Sequence, residues 1–223
     1  MRYRLHKNSQ GFTVVETILA VSVAAIMATV LFSVTFTYYA SAIRSQETAS
    51  MALESQTLLG QMVEDLRLAA GVGATVQLTD TYAPGGGWAT SDPNNVLIVR
   101  SPVVNSSRDI MYDSETALPY QNEYIYFLQG STLYKRILKN TVPAENIAIT
   151  TCPAANVSAS CPEDRIFSKN VSDMTFTFYD FNDAVTTDAS QTRSVQVTVH
   201  MSKKVYGRTI TLSNTMRVTQ RNQ

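Results

Sequence analysis

The most restrictive feature of this sequence is a long uncharged apolar run near its start. From Thr17 to Ile43 the sequence contains no Asp, Glu, Lys, Arg, His, Gly or Pro. About 20 apolar residues are enough for a helix to cross a bilayer, so this run predicts one membrane-spanning helix. Three basic residues, Arg2, Arg4 and Lys7, precede it. They predict that the N-terminus lies in the cytoplasm and the remainder outside, because cytoplasmic flanks are enriched in positive charge.

One acid, Glu16, lies at the edge of this apolar run. A carboxylate costs about 2.5–3.5 kcal/mol at the centre of a membrane segment, less near its edge, and such an acid usually marks a functional contact. A plain signal anchor leaves Glu16 unexplained. A signal peptide cut after the triplet Ala40-Ser41-Ala42 would need an apolar region about twice the usual length. In the first turn of a helix the macrodipole would also favour Glu16 by about 0.3–1 kcal/mol, which is a purely local role.

The residues around Glu16 form a recognisable pattern. A short basic leader ends in Gly11, Phe12 follows, Glu16 is the fifth residue after Gly11, and the apolar helix continues unbroken. This combination resembles the processing site of type IV prepilins and of the related type II secretion pseudopilins. The resemblance implies that a membrane prepilin peptidase cuts between Gly11 and Phe12 and that the new amine of Phe12 is N-methylated. It also implies that Glu16 pairs with the Phe12 amine of a neighbouring subunit in a filament.

After Arg44 the sequence remains helical in pattern but becomes amphipathic. Apolar residues recur at spacings of three and four, which predicts that the helix continues and packs one face on a sheet. Gly71 and Gly73 are expected to end it. The apolar positions are Leu58, Leu59, Met62, Val63, Leu66 and Ala70.

The end of this helix carries a second resemblance. Its sequence, QMVEDLRLAAG, is similar to the corresponding part of J-type pseudopilins and W-type minor pilins. Major pilins usually have Gly or Pro in the membrane half, whereas this chain has neither between Phe12 and Leu59. The resemblance therefore favours a low-copy minor subunit over a bulk pilus subunit.

From Val72 onward, short β-branched and aromatic runs alternate with turn residues. The pattern predicts a mainly antiparallel sheet laid over the amphipathic half of the helix, an α+β fold. The resemblance implies that this is the pilin fold. Hairpin turns are expected at Gly130 and Gly207. The strand candidates are NVLIVR, EYIYFLQ, STLYKRI, NIAIT, MTFTFYDF, RSVQVTVHM and RTITLSNTMRV.

These patterns divide the sequence into four segments. We expect a cleaved basic leader at 1–11, a transmembrane and filament-core helix at 12–43, its amphipathic continuation at 44–71 and a β-rich head outside the cytoplasm at 72–223. Cys152 and Cys161, the two cysteines of the chain, predict a disulfide in the head, because a pair alone cannot complete a four-ligand zinc site. So short a loop predicts a stabilisation of about 2–3 kcal/mol.

Two loops of the head contain candidate recognition residues. The loop TDTYAPGGGWATSDPNN contains Trp88, which we expect to pack onto the head; a contact with a neighbouring subunit or a secreted substrate is the alternative. The loop YDFNDAVTTD offers oxygen ligands of the kind calcium prefers, but Val185 stands where an EF-hand requires Gly. A solvated hairpin loop without metal is therefore the favoured interpretation. Its candidate ligands are Asp180, Asn182, Asp183 and Asp188.

Catalysis has little support in the sequence. His6 belongs to the predicted leader and His200 to the polar face of a predicted strand, so no Ser-His-Asp or histidine-rich metal site is expected. No cofactor motif occurs, and no nucleic-acid partner is predicted because 18 Lys and Arg balance 18 Asp and Glu.

The resemblance implies a structural subunit of the inner membrane that helps to initiate or assemble a type IV pilus or a type II secretion pseudopilus. Its expected partners are prepilin peptidase, the membrane, and other minor and major subunits that contact its N-terminal helix. A signal-anchored or secreted envelope protein whose head binds a ligand or acts as an adhesin is the alternative, and a secreted enzyme is a more distant one.

Overall fold

The computed structural model describes residues 13–90 and 95–220. A long helix, α1, runs from Val14 to Leu68. The chain divides into two compact units, Met1–Glu47 and Thr48–Gln223, so that the division falls within α1. The first unit contains the apolar part of α1, and the second contains the rest of α1 and the head.

The head contains two antiparallel sheets. The first has the order β1-β2-β3-β4-β5 and the second the order β7-β6-β8-β9. Short 3-10 helices at Ala154–Asn156 and Ala189–Gln191 lie in the connections. The strands of the first sheet are β1 (Gly71–Gly73), β2 (Val96–Pro102), β3 (Gln121–Gln129), β4 (Thr132–Leu138) and β5 (Arg165–Ser168). Those of the second are β6 (Val171–Tyr179), β7 (Val185–Thr186), β8 (Ser194–Val205) and β9 (Arg208–Thr219).

The predicted α+β class is confirmed, with an antiparallel head packed on the amphipathic part of a long N-terminal helix. One face of the helix and one face of each sheet share the main core. Along β8, Val195, Val197 and Val199 point into this core while Gln196, Thr198 and His200 lie on the opposite face, as the alternation predicts. The helical residues in the core are Met51, Leu58, Leu59, Met62, Leu66 and, just beyond the helix end, Ala69.

A second, smaller core covers the other face of the first sheet. Ile125 and Phe127 of β3 point into it, whereas Tyr126 between them points into the main core. Trp88, from the loop between β1 and β2, packs against this second cluster. The first sheet is therefore covered on both faces, which explains why β2 and β3 read as nearly continuous apolar runs.

Both predicted hairpin turns are present. Gly130 joins β3 to β4 with φ +62°, and Gly207 joins β8 to β9 with φ +74°. Glycine suits both positions because a side chain disfavours this left-handed region.

Four details of the predicted elements were wrong. The head has two sheets, not one, and the short strands β1, β5 and β7 escaped the sequence patterns. Gly71 and Gly73 do not cap the helix, which ends earlier because the Ala70 N–H donates to the Arg100 carbonyl of β2 at 2.7 Å. The two glycines form β1, and a Cβ at Gly73 would lie 2.9 Å from Ile98 Cγ2.

The segment NIAIT is a loop and not the predicted strand. The side chain of Asn146 holds its start, because its Nδ2 donates to Asn122 Oδ1 at 2.7 Å and to the Asn140 carbonyl at 2.8 Å. The following residues run beside the end of β4, where the Ile137 N–H donates to the Thr151 hydroxyl at 2.9 Å. Side-chain hydrogen bonds thus take the place of most of the backbone ladder that a strand would need.

Candidate functional site

The predicted processing and assembly residues lie at the start of α1. Gly11 and Phe12 fall outside the described residues. Glu16 occupies the first turn of the helix. Thr13 immediately precedes that helix and is exposed, as is Glu16.

Thr13 and Glu16 form a reciprocal helix cap. The Thr13 N–H and hydroxyl both donate to Glu16 Oε2 at 3.0 Å, and the Glu16 N–H donates to the Thr13 hydroxyl at 3.3 Å. This is the capping-box arrangement, which satisfies two backbone donors that the helix leaves without partners. The spacing Thr-x-x-Glu before an apolar run is the usual signal of a capping box, but this role of Thr13 was not predicted.

The cap occupies only part of the carboxylate. Both hydrogen bonds from Thr13 go to Oε2 of Glu16, and within the described part of the chain no hydrogen bond or ion pair reaches Oε1. A carboxylate provides about four lone-pair sites on its two oxygens. Glu16 can therefore keep its cap and still accept a hydrogen bond from an approaching cation.

The apolar part of α1 meets the requirements of a membrane span. Its mean hydropathy is 2.3 over an 18-residue window, none of which is buried. Among residues 13–90 and 95–220, α1 is the one helix long and apolar enough to cross a membrane. Side chains from residue 14 to residue 39 are all exposed, including Phe32 at 77%. So much uncovered apolar surface is typical of a segment that contacts lipid or other helices.

The hydroxyl groups within this run do not oppose that role. Ser22, Thr29 and Thr37 each donate to the backbone carbonyl four residues earlier at 2.8 Å. Their hydroxyl protons are thereby satisfied inside the helix, as an apolar environment requires.

The predicted disulfide joins Cys152 to Cys161, whose Cα atoms lie 5.6 Å apart. It closes a loop that begins beside the end of β4. The Cys152 N–H donates to the Pro162 carbonyl at 2.8 Å, and the Asp164 N–H donates to the Cys152 carbonyl at 2.8 Å. The cross-linked loop is therefore also attached to the segment that carries Asp164.

Asp164 belongs to a buried ion cluster around Arg136 of β4. The Arg136 guanidinium contacts Asp164 at 2.6 Å through Nη2 and Asp80 at 2.9 Å through Nη1, and these side chains are 3–4% exposed. Nη1 also donates to the Tyr82 carbonyl at 3.1 Å, and the Thr151 hydroxyl donates to Asp164 at 2.8 Å. The cluster thus ties the β1–β2 loop and the disulfide segment to the sheet.

Burial opposes the charged form of Arg136, but its hydrogen bonds to Asp164 and Asp80 outweigh that effect and raise its pKa above the usual value. The guanidinium therefore keeps its charge inside the protein. Asp164 is 28 residues and Asp80 is 56 residues away from Arg136 in sequence, so no local pattern could have indicated them.

Trp88 packs onto the head, as the sequence analysis predicted. Its ring centroid lies 4.7 Å from that of Phe127, and its indole N–H donates to Asp80 at 2.6 Å. The same loop is fastened at Glu123, whose carboxylate accepts the N–H groups of Gln77 and Leu78 at 2.9–3.0 Å.

A second polar group lies between the helix and the first sheet. Asp65 accepts hydrogen bonds from the Tyr126 hydroxyl and the Lys135 amine. The Lys135 amine also lies 4.0 Å from the ring centroid of Tyr124. Burial lowers the pKa of Lys135 although Asp65 opposes the change, and burial together with the charge of Asp65 raises the pKa of Tyr126 well above its usual value.

The candidate calcium ligands serve separate structural roles. Asp180 accepts the N–H groups of Asn182 and Ala184 at 2.8 and 2.9 Å, Asp183 pairs with Arg217, and Asp188 caps a 3-10 helix. Across residues 13–90 and 95–220, no three His, Cys, Asp or Glu side chains come together in a metal-binding arrangement.

The described residues thus contribute a capped acid at the start of an exposed apolar helix and, as a separate unit, a head cross-linked by buried ion pairs and a disulfide. No protein-family model matches this chain, and no curated protein is significantly similar to it.

Proposed function

We propose that this protein is a minor pilin or pseudopilin, a structural and non-catalytic subunit that takes part in the initiation or assembly of a type IV pilus or a type II secretion pseudopilus. The observation that carries the proposal is Glu16, a capped carboxylate at the start of a helix whose apolar part, residues 14–39, is exposed. A helix of this kind has no reason to carry an acid for membrane anchoring alone, because the acid adds a desolvation cost.

Assembly gives the apolar side chains and the acid complementary roles. Lateral packing of such helices buries the side chains of residues 14–39, which are exposed in the single chain. Cutting after Gly11 would create a cationic amine on Phe12, and Oε1 of Glu16 remains able to accept from a neighbour's amine. A desolvated carboxylate needs such a partner, and removing one member of a buried pair costs about 3–5 kcal/mol. Glu16 would therefore set the register of each incoming subunit.

The proposed location is the inner membrane, with one span and the head outside the cytoplasm. The basic residues before the span support this orientation. Before assembly the protein is a substrate of prepilin peptidase, and afterwards its N-terminal helix contacts the helices of other minor and major subunits.

The maturation site provides the first test. The full chain is expressed in a host that contains a prepilin peptidase, and its intact mass and N-terminal sequence are determined. We expect a mature chain that begins with methylated Phe12, and a Gly11→Ala variant that remains uncut. A chain that keeps Met1, or one that begins at Ile43, would contradict the proposal.

The structure allows a sharper test of Glu16, because its capping role and its charge are separable. Glu16→Gln preserves a capping box, since Gln serves at this position as well as Glu, but removes the negative charge. Thr13→Val keeps the charge and removes the capping hydroxyl. We expect Glu16→Gln to abolish incorporation into filaments and Thr13→Val to retain it. The reverse result would mean that Glu16 acts only as a local helix cap.

A second candidate function rests on one feature of the head. A cleft of about 880 Å³ lies beside Trp88, Phe127 and Tyr134, a volume within the range of ligand sites. It would suit a signal-anchored envelope protein that binds a ligand without forming filaments. Such a protein would keep its leader or lose it at Ala42, so the maturation experiment separates the two functions.

A further inference from the structure

The two sheets of the head end in four edge strands of very different length. Three of them are short: β1 has 3 residues, β5 has 4 and β7 has 2. The fourth, β9, has 12 residues and pairs with β8 along its whole length. A short edge offers few backbone groups to another chain, whereas a long open edge is a template for a further strand.

The register shows which backbone groups of β9 point outward. The Gln220 N–H donates to the Arg193 carbonyl at 2.9 Å, so this pair belongs to the hydrogen-bonded set of the β8–β9 ladder. In an antiparallel ladder hydrogen-bonded and non-hydrogen-bonded pairs alternate. Even-numbered residues of β9 therefore bond to β8, and odd-numbered residues direct their N–H and C=O groups away from it. The outward residues, all exposed, are Thr209, Thr211, Ser213, Thr215, Arg217 and Thr219.

The outward groups have no hydrogen-bond partner within the described part of the chain. The strand also lacks the usual protection of an edge. It contains no proline, and its register with β8 runs without a bulge. The even-numbered, core-facing row carries one charge, Arg208, which is exposed at the first position of the strand. The other residues of that row are uncharged: Ile210, Leu212, Asn214, Met216 and Val218.

Arg217, the arginine in the outward row, does not protect the edge of β9 from pairing with another strand. The Arg217 guanidinium lies 3.7 Å from the ring centroid of Tyr179 in β6 and donates to the Ser194 hydroxyl in β8 at 2.8 Å. It also pairs with Asp183. All three partners lie on the β8 side of β9, so the charge is turned inward over the sheet.

We propose that the free edge of β9 binds an extended segment of another polypeptide, which adds as a fifth strand to the second sheet. The chemistry of the neighbouring side chains defines the segment. On the core side Ile210 and Leu212 are half-buried and Met216 is 36% exposed, so apolar residues of the incoming strand would continue this row. On the opposite side its residues would lie beside the threonine row. The segment therefore alternates apolar and small polar residues.

The geometry favours a different polypeptide over a second copy of this chain. Antiparallel pairing of β9 with β9 of another copy requires a twofold axis perpendicular to the sheet. Such an axis reverses the direction of residues 48–68 of α1, which pack on the sheet, and so places Thr48 of the two copies at opposite ends of the pair. The apolar runs that precede Thr48 in the two chains could not then both enter one membrane. Parallel pairing requires an axis along the strands and places the apolar faces of the two copies on opposite sides. Only the exclusion of a second copy uses membrane anchoring, and the docking edge itself does not depend on filament assembly.

A defined peptide tests the edge. The probe is a fluorescent synthetic peptide with the β8 sequence, SVQVTVHMSKKV, which alternates in the required way and is already the partner of β9 on its other side. Its binding to the full chain in detergent micelles is measured by fluorescence anisotropy. We expect saturable binding, which is lost when alternate residues of the peptide are N-methylated because these can no longer donate to β9.

Matched variants of the protein identify the edge as the binding site. Thr211→Pro and Thr215→Pro each remove an outward N–H without removing a bond of the β8 ladder, since proline is tolerated at such edge positions. Thr211→Val keeps the N–H and is the control. We expect the dissociation constant to rise at least tenfold in the proline variants and to stay within twofold in Thr211→Val. Trp88 fluorescence verifies that each variant is folded.

Two results would overturn the proposal. The first is wild-type protein that does not bind the peptide saturably, or folded proline variants that bind it as wild type does. The second is a dimer of the full chain that Thr211→Pro dissociates, because the occupant of the edge would then be a second copy.

Discussion

The buried cluster around Arg136 supports a quantitative prediction for the substitution Arg136→Met. The guanidinium lies 2.6 Å from Asp164 and 2.9 Å from Asp80, and all three side chains are at most 4% exposed. Methionine replaces the apolar stem of arginine but not the guanidinium, whose Cζ lies 5.5 Å from the ring centroid of Trp88 and 5.4 Å from that of Phe127. It supplies no positive charge, so two carboxylates remain buried without their cation.

The expected cost is large. Removing one partner of a buried ion pair destabilises a protein by about 3–5 kcal/mol, because the remaining charge loses its compensation. The total stability of a domain is about 5–15 kcal/mol. Arg136→Met should therefore remove a large part of the stability of the head, and it should release the β1–β2 loop and the disulfide segment from the sheet.

Urea unfolding of the full chain in detergent micelles measures this effect. Trp88 is the only tryptophan and donates to Asp80 at 2.6 Å, so its fluorescence reports on the cluster directly. Circular dichroism provides an independent probe of the strands. Arg217→Met is the matched control, because Arg217 and Asp183 are 37% and 72% exposed. We expect the control to cost at most about 1 kcal/mol.

A similar small cost for both variants would refute this reasoning. It would mean that the Arg136 cluster contributes no more than a surface ion pair. Adding Asp80→Asn and Asp164→Asn to Arg136→Met should restore part of the lost stability, since the uncompensated charges are then removed and neighbouring sites are not additive.

Three further predictions concern the backbone, the disulfide and pH. Gly73→Ala should lower the free energy of urea unfolding by about 1–3 kcal/mol through overpacking, because its Cβ would lie 2.9 Å from a side-chain methyl of β2. Gly60→Ala, whose Cβ would lie in open space on α1, should instead raise that free energy by about 0.5–1 kcal/mol. Equal changes in the two variants would contradict both predictions. Cys152→Ser should lower the free energy of unfolding by about 2–3 kcal/mol under oxidising conditions, and the difference from wild type should shrink when reductant is added. Burial and the charge of Asp65 raise the pKa of Tyr126. The contribution of Tyr126 to the free energy of unfolding is therefore complete below its unfolded pKa of about 10 and is lost as pH rises through its folded pKa. Tyr126→Phe should flatten this alkaline decline in stability, and a parallel decline in both proteins would contradict the prediction.

The features that the sequence predicted correctly are local ones. The apolar length of α1, the alternation along β8 and the glycine turns at Gly130 and Gly207 each depend on residues close together in the chain. The disulfide was also predictable, because Cys152 has only Cys161 as a partner. The capping box of Thr13 and Glu16 was readable from a spacing of three residues as well, and it was overlooked.

The features that the sequence did not predict depend on distant partners. NIAIT has the composition of a strand, yet hydrogen bonds of the Asn146 side chain with Asn122 and Asn140 hold its start as a loop. β1 contains only three residues and is a strand only because it pairs antiparallel with β2. Short segments of this kind contain too little pattern to be recognised without their neighbours.

The sequence by itself thus determined an apolar helix that opens with an acid, followed by an antiparallel α+β head with one disulfide. Hydrophobic periodicity and turn chemistry depend on a few neighbouring residues, so they can be read from one sequence. The tertiary structure alone decided that the strands form two sheets, that Arg136 is compensated by two distant acids, and that β9 has a free edge. These features depend on contacts between residues far apart in the chain, which form only when the whole head folds.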